Sequence, residues 1–203
     1  MLKSAYLRKL EVQNLFAEAQ DSGRLAYYTT STYYEFDKSI DNNDYYKTEK
    51  ISVNDSGEII GFIACNTGIG DKICDNLHIV RFNDTMSGRK LFILDLLKFL
   101  IDLHSRGFKK LEFNVNMSNS GAMKLYDKFV NIVGGEIVGV RRRSMISPNN
   151  LDKMHDMKLY DVHFEESIVK IEELFMALKS KFICHARYVF RIEGDCAYKQ
   201  IKS

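Results

Sequence analysis

Strands that first pair through short turns and then alternate with helices predict an α/β protein built on a mixed sheet. In residues 49–65, Ile51 and Val53 alternate with polar neighbours and Glu58 to Cys65 reads as a second strand, the two split by Asn54-Asp55-Ser56-Gly57, the pattern of a hairpin. Residues 75–130 then read strand, polar loop, helix, strand, helix. A single proline, Pro148, with no Gly/Ser-rich linker and no internal repeat, argues for one continuous domain.

Taken in order, residues 3–9 predict a short first strand. A helix follows, with Val12, Leu15, Phe16 and Ala19 on one face and Gly23 past its end. Residues 25–50 hold Tyr27, Tyr28, Tyr33, Tyr34, Phe36, Tyr45 and Tyr46 among Asp and Asn. They read either as a partly buried helix and loop or as an aromatic wall over a substrate cleft. Ile51 and Val53 alternate, and Glu58 to Cys65 forms the returning strand. Gly68 to Asp71 is a turn into a strand at 75–82, and Asn83 to Gly88 is a polar loop. Leu91, Leu94, Leu97, Ile101 and Leu103 mark an amphipathic helix ending at Gly107. A strand at 109–115 leads to a helix near 119–130 with Ala122, Leu125, Tyr126 and Phe129 on one side, broken by Gly134-Gly135. Strands at 136–146 and 155–163 are joined by the turn Ser147-Pro148-Asn149-Asn150. Ile168, Ile171, Leu174, Phe175 and Leu178 have helical spacing across 165–181, and 182–192 alternates as a strand does.

Composition bounds the function. The 203 residues amount to about 1.4 typical domains, so one domain with an extension is expected. Apolar residues at 45% and charged ones at 28% are those of a globular chain. Twenty-nine basic against twenty-seven acidic residues leave +2, which excludes a nucleic-acid binder driven by bulk charge. Cys65, Cys74, Cys184 and Cys196 form no CxxC pair and have no zinc spacing, so they read as free thiols of a reducing cytosol. Asp95, Lys98 and Asp102 interrupt the longest apolar run, short of the ~20 residues that span a bilayer. Residues 1–14 lack the apolar stretch of a secretory signal, and the expectation is a cytoplasmic protein with no membrane partner. His155 and His163 have no companions at metal spacing, so no metal is expected. Arg141-Arg142-Arg143 alternates between strand faces and reads as a solvated strand end.

Two segments resemble a known family. Phe113-Asn114-Val115-Asn116-Met117-Ser118-Asn119-Ser120-Gly121-Ala122-Met123-Lys124-Leu125-Tyr126-Asp127-Lys128 is similar to the strand and N-x-x-A-x-x-x-Y-x-K helix of the GCN5-related N-acetyltransferases. Thr85-Met86-Ser87-Gly88-Arg89-Lys90 stands where that family carries its Gln/Arg-x-x-Gly-x-Gly/Ala loop, with only the central glycine retained. Residues 135–142 and 156–159 resemble its closing hairpin. The resemblance spans roughly residues 3–163. It implies a mostly antiparallel central sheet flanked by helices and an acetyltransferase domain over 1–163, while residues 164–203, outside the resemblance, read from their spacing as a C-terminal helix–strand extension. That extension either packs on the domain, completes its sheet or meets a second subunit as a homodimer.

The resemblance further implies an acyl-CoA-dependent N-acetyltransferase that moves an acetyl group from acetyl-CoA to a primary amine, small-molecule or peptide, by direct attack. Tyr126 aligns with the family's general acid. The cofactor would lie along His78, Ile79 and Val80, with its pyrophosphate at Met86, Ser87, Gly88, Arg89, Lys90 and Leu91, and Asn119 and Tyr126 beside its arm. A helix N-terminus suits such an anion because its first N–H groups lack intrahelical partners. His78 is the first candidate for the base that takes the amine's proton, with Glu112 and Asp75 as alternatives. The Tyr33 to Asp44 stretch, acidic and tyrosine-rich, points to a cationic acceptor. The altered loop supports the competing expectation of a catalytically silent binding or dimerisation module.

Overall fold

The computed structural model describes residues 1–22, 47–67, 72–83, 85–145 and 153–181. The turns read at 68–71 and 147–150, Gly23, the part of the aromatic stretch 25–50 up to residue 46, the strand read at 182–192, and Cys184 and Cys196 lie outside the described residues.

Among the described residues seven strands form one sheet: β1 (Leu2–Ser4), β2 (Lys47–Val53), β3 (Ile59–Thr67), β4 (Ile73–Arg81), β5 (Lys110–Asn116), β6 (Glu136–Met145) and β7 (Lys153–His163). Their spatial order is β1-β2-β3-β4-β5-β7-β6. Every neighbouring pair is antiparallel except β4 and β5. The helices are α1 (Lys9–Asp21), α2 (Met86–Ser105), α3 (Ser120–Val133) and α4, which is helical over 164–181.

The expected strand over 3–9 is shorter than read. β1 stops at Ser4, and Ala5–Arg8 is a 3-10 turn leading into α1. The reason lies in the apolar spacing. Ala5 is buried with Val12, Phe16 and Ala19, whereas Tyr6, Leu7 and Leu10 are exposed. The helical stripe therefore begins at Ala5, and only Leu2 to Ser4 keep the extended register against Lys50 to Ser52.

Each face of the sheet has its own core. On one face α1 closes a smaller core of Val12, Phe16, Ile51, Phe62, Val80 and Phe82. The Phe16 ring meets Phe62 and Phe82 edge-on, each at 5.3 Å. On the other face Leu97, Leu100 and Leu103 of α2 and Val130 and Val133 of α3 pack with Ile63, Leu111, Phe113, Val115 and Tyr160. Phe164 and Ile171 of α4 are fully buried in that same core. Gly61 lets α2 approach β3 closely: a Cβ there would stand 2.3 Å from the Phe92 ring. Asp95 is the one charge on the buried stripe of α2, and it accepts hydrogen bonds from Ser52 Oγ (2.6 Å) and the Met1 nitrogen (2.9 Å).

Cys65 and Cys74 are buried free thiols on neighbouring strands. The hydrogen bond that the Cys65 thiol shares with Cys74, reinforced by burial, pushes Cys65 far above its ordinary value. His155 Nδ1 lies 3.0 Å from Asn116 Nδ2, and among the described residues no group of three or more His, Cys, Asp or Glu side chains is placed to hold a metal.

Candidate active site

Among the described residues the one parallel pair in the sheet is also the one that opens. β4 and β5 are paired only at Ile73↔Lys110 and Cys74↔Leu111, and beyond those residues the two strands part. The departure coincides with a bulge. Ala64 faces His78 and Asn66 faces Asp75, so β4 carries one more residue than β3 across that stretch. The extra residue resets the alternation. Cys74 and then Leu77 and Ile79 face the α2 side, while Val80 is turned to the α1 side.

The register also shows which backbone groups look into the opening. Phe82 N–H donates to the Ile60 carbonyl at 3.0 Å. An antiparallel ladder exchanges its bonds at every second residue. Val80 and His78, opposite Phe62 and Ala64, therefore spend their backbone groups on β3, and Ile79 directs its N–H and C=O into the fork. Of the three residues expected along the cofactor arm, His78, Ile79 and Val80, Ile79 is the one whose backbone is so presented.

The mouth of the fork is capped by α2. Its N-cap is Thr85, whose Oγ1 accepts from Gly88 N–H at 3.1 Å. Asn83 Oδ1 in turn accepts from Thr85 N–H (2.9 Å) and Thr85 Oγ1–H (2.7 Å). Arg89 N–H already closes the first helical turn on the Thr85 carbonyl. The orphan donors of the helix are thus the N–H groups of Met86 and Ser87. Gly88 is buried, and a Cβ on it would stand 2.8 Å from Asn83 Oδ1 and 2.9 Å from Thr85 Oγ1. Its lack of a side chain serves this cap. Met86, Ser87, Arg89 and Lys90 are exposed around it and Leu91 packs inward against the larger core. A helix terminus with two available donors and two flanking cations, at the end of a strand that presents Ile79 to an open fork, fits a pyrophosphate joined to an extended amide-bearing arm.

α3 starts on the other side of the fork. Asn116 Oδ1 accepts from Ser118 N–H (3.0 Å) and Oγ–H (2.8 Å), shaping the turn after β5. Asn119 is the N-cap, its Oδ1 accepting from Ala122 N–H at 3.1 Å. That commits the side-chain oxygen to the helix and leaves the Nδ2 amide as the group with which Asn119 can meet a ligand. Tyr126, on the inward face of α3, is half-buried and meets the Phe113 ring edge-on at 5.2 Å and that of Tyr160 at 6.2 Å.

The structure puts the candidate acid and the candidate bases on opposite faces. Tyr126 packs with the larger core, on the α2 and α3 side. His78 is half-buried opposite Ala64 of the smaller core, on the α1 side. Asp75 is exposed beside the bulge. Glu112 stands opposite Asp161 and is held by Lys110 Nζ at 2.7 Å, and the same Nζ reaches Asp161 at 2.6 Å. The two carboxylates, Asp161 first, push the Lys110 ammonium above its ordinary value.

Sequence reasoning did not single out Asp127, Lys158 and Tyr160. Asp127 Oδ1 accepts from Lys158 Nζ (2.7 Å) and from Tyr160 Oη–H (2.8 Å), and these bonds hold its carboxyl below the usual carboxylate range. The available signal was the spacing in β7, where Tyr160 and Val162 share an inward face, since a buried tyrosine hydroxyl needs a partner.

No protein-family model matches the chain, and no curated protein sequence matches it. Solved structures do. A chimera of the spermidine N-acetyltransferase SpeG from Vibrio cholerae and hSSAT superposes with a TM-score of 0.61 at 15% identity, over 83% of this chain and 97% of that one. The Vibrio cholerae spermidine N-acetyltransferase in complex with CoA and spermine gives 0.60 at 14% identity, over the same shares. An N-acetyltransferase from Staphylococcus aureus gives 0.55 at 15% identity, over 80% of this chain and 97% of that one. At these identities the likeness is one of fold, and the fold of this chain is that of the GCN5-related N-acetyltransferases.

Proposed function

We propose that the chain is an acyl-CoA-dependent N-acetyltransferase that moves an acetyl group from acetyl-CoA to a primary amine by direct attack in a ternary complex. The observation that carries this reading is the fork between β4 and β5, with Ile79 directed into it and the N-terminus of α2 at its mouth. Acetyl-CoA would supply a thioester whose acyl carbon is open to an amine. The N–H groups of Met86 and Ser87, with Arg89 and Lys90, bind phosphate charge. Asn119 Nδ2 and the Ile79 backbone orient the arm, and the Ile79 N–H is a donor for negative charge developing on an acyl oxygen. Tyr126 holds a proton at Oη for the departing sulfur. A phenol, with a pKa of about 10 in water, keeps that proton at neutral pH. His78, on the α1 face, takes the proton of the attacking ammonium, directly or through water. Asp75 and Glu112 stand behind it as alternatives, Glu112 the weaker because Lys110 already engages it.

The acceptor class we assign is a small-molecule or peptide amine with a cationic leaning. The acidic, tyrosine-rich stretch Tyr33 to Asp44 supports this, as do fold neighbours named for spermidine. In this reading residues 1–163 are the catalytic unit, and 164–203 an extension whose helix packs on the same core. Two buried free thiols and a CoA substrate fit the cytoplasm. Among the described residues no helix is long and apolar enough to cross a membrane.

A second reading, a catalytically silent binding module, draws on the Asn83–Thr85 cap, which takes up the Gly88 N–H that a pyrophosphate would otherwise use. Release of CoA from acetyl-CoA in the presence of spermidine and of a panel of primary amines separates the two. The enzyme reading expects turnover that falls by about 10²–10⁴ in Tyr126→Phe, with acetyl-CoA affinity nearly unchanged. Full turnover in Tyr126→Phe removes Tyr126 from the mechanism, and acetyl-CoA binding with no turnover on any amine favours the silent module.

A further inference from the structure

We propose that Tyr160 is a positioning residue for acetyl transfer: its buried hydroxyl, bonded to Asp127, locks the turn of α3 that carries Tyr126. This rests on the reading of Tyr126 as general acid. Tyr160 is fully buried on β7, where a phenylalanine would fill the same space. Its hydroxyl has a specific task, donating to Asp127 Oδ1 at 2.8 Å. Asp127 is the residue next to Tyr126, so the bond is made to the same helical turn. Lys158, also from β7, binds the same oxygen at 2.7 Å and lies 5.6 Å from the centre of the Tyr160 ring. Tyr160 stacks on Phe113 at 5.0 Å and 12°, and Tyr126 leans edge-on against both rings.

The contacts form a closed circuit: Tyr126 to Asp127 along the helix, Asp127 to Tyr160 by the hydrogen bond, and Tyr160 back to Tyr126 by the rings. Such a circuit opposes rotation of α3 about its own axis, the movement that ring packing alone restrains poorly. A side-chain tip lies roughly 6 Å or more from a helix axis, so a rotation of about 10° displaces it by about 1 Å. A displacement of that size at a reacting group costs about 100-fold in rate.

The test is a four-enzyme cycle of wild type, Tyr126→Phe, Tyr160→Phe and the double variant, assayed for kcat and for KM of acetyl-CoA, with melting temperature followed in parallel. Expected is a kcat about 10–100-fold lower in Tyr160→Phe, with KM for acetyl-CoA within about twofold and no further loss when Tyr160→Phe is added to Tyr126→Phe. Asp127→Ala, at a half-buried site outside the core, removes the same bond from its other end and must reproduce the kcat loss, which keeps the test decisive if Tyr160→Phe folds poorly. Wild-type kcat in a folded Tyr160→Phe, or an equal fractional loss in both Tyr126 backgrounds, overturns the proposal while leaving Tyr126 as the acid. Wild-type kcat in Tyr126→Phe overturns the general-acid reading itself, and the proposal with it.

Discussion

Asn83, Thr85 and Gly88 show how much the candidate site depends on single atoms. The cap of α2 needs the Thr85 hydroxyl to receive the Gly88 N–H, and there is no room for a Cβ between that hydroxyl and Asn83 Oδ1. Alanine at 88 gains helix propensity of up to about 1 kcal/mol and loses a cap of similar worth, so the two effects nearly cancel. Gly88→Ala is therefore expected to move the melting temperature by no more than about 4 °C yet raise the Kd for acetyl-CoA by about tenfold, because the displaced cap no longer presents the Met86 and Ser87 donors. Calorimetric titration checks it, and an unchanged Kd would remove this helix terminus from the site. At this scale the sequence was readable where a residue's job is local. Asn119 caps α3 as its place before an amphipathic run predicts, and the glycine at 88 stands where a strand-to-helix loop calls for one. The purpose of that glycine was not readable, since it depends on Asn83 folding back over the loop. Tyr160 was equally silent, because its partner lies 33 residues away on another element.

At the scale of elements, the hairpin β2–β3 and the helices α2 and α3 follow from turn residues and apolar periodicity. The boundaries moved where tertiary pairing decided them. β4 begins at Ile73, two residues before the alternation suggests, because Cys74 pairs with Leu111 before the bulge disturbs the pattern. The bulge and the fork have no signature in one strand's sequence, as both are relations between strands. α3 is tied to β7 by Asp127, Lys158 and Tyr160, and this tie has a pH dependence whose sign is defined. The native carboxyl of Asp127 titrates below its ordinary 3.8, so its contribution is present above that value and is lost as pH falls through the depressed one. Asp127→Asn is expected to lower the melting temperature by about 1–4 °C at neutral pH, a gap that closes as pH falls through and below the ordinary carboxylate range. Thermal unfolding of both proteins across that range measures it, and a gap of equal size at both ends would show that the carboxylate charge contributes nothing.

For the whole molecule, two cores on opposite faces hold a sheet that is continuous except where β4 leaves β5. The larger core binds α2, α3 and α4 to the sheet, and the smaller one binds α1. This arrangement leaves the fork as an opening between rigid halves, and a ligand that fills it bridges them. Composition and element order sufficed for the fold class, because the order of strands and helices admits few topologies. Of the acceptor, only a cationic leaning was readable, from the acidic, tyrosine-rich stretch Tyr33 to Asp44. In the proposed reading this fork and the N-terminus of α2 together hold acetyl-CoA, and thermal unfolding with acetyl-CoA, compared with desulfo-CoA, measures that binding. A ligand at about 100 times its Kd adds about 2.7 kcal/mol, which for a chain of this size raises the midpoint by roughly 5–10 °C. A rise of that order is expected with acetyl-CoA, and no rise at millimolar acetyl-CoA would mean that the fork and the α2 N-terminus do not hold it.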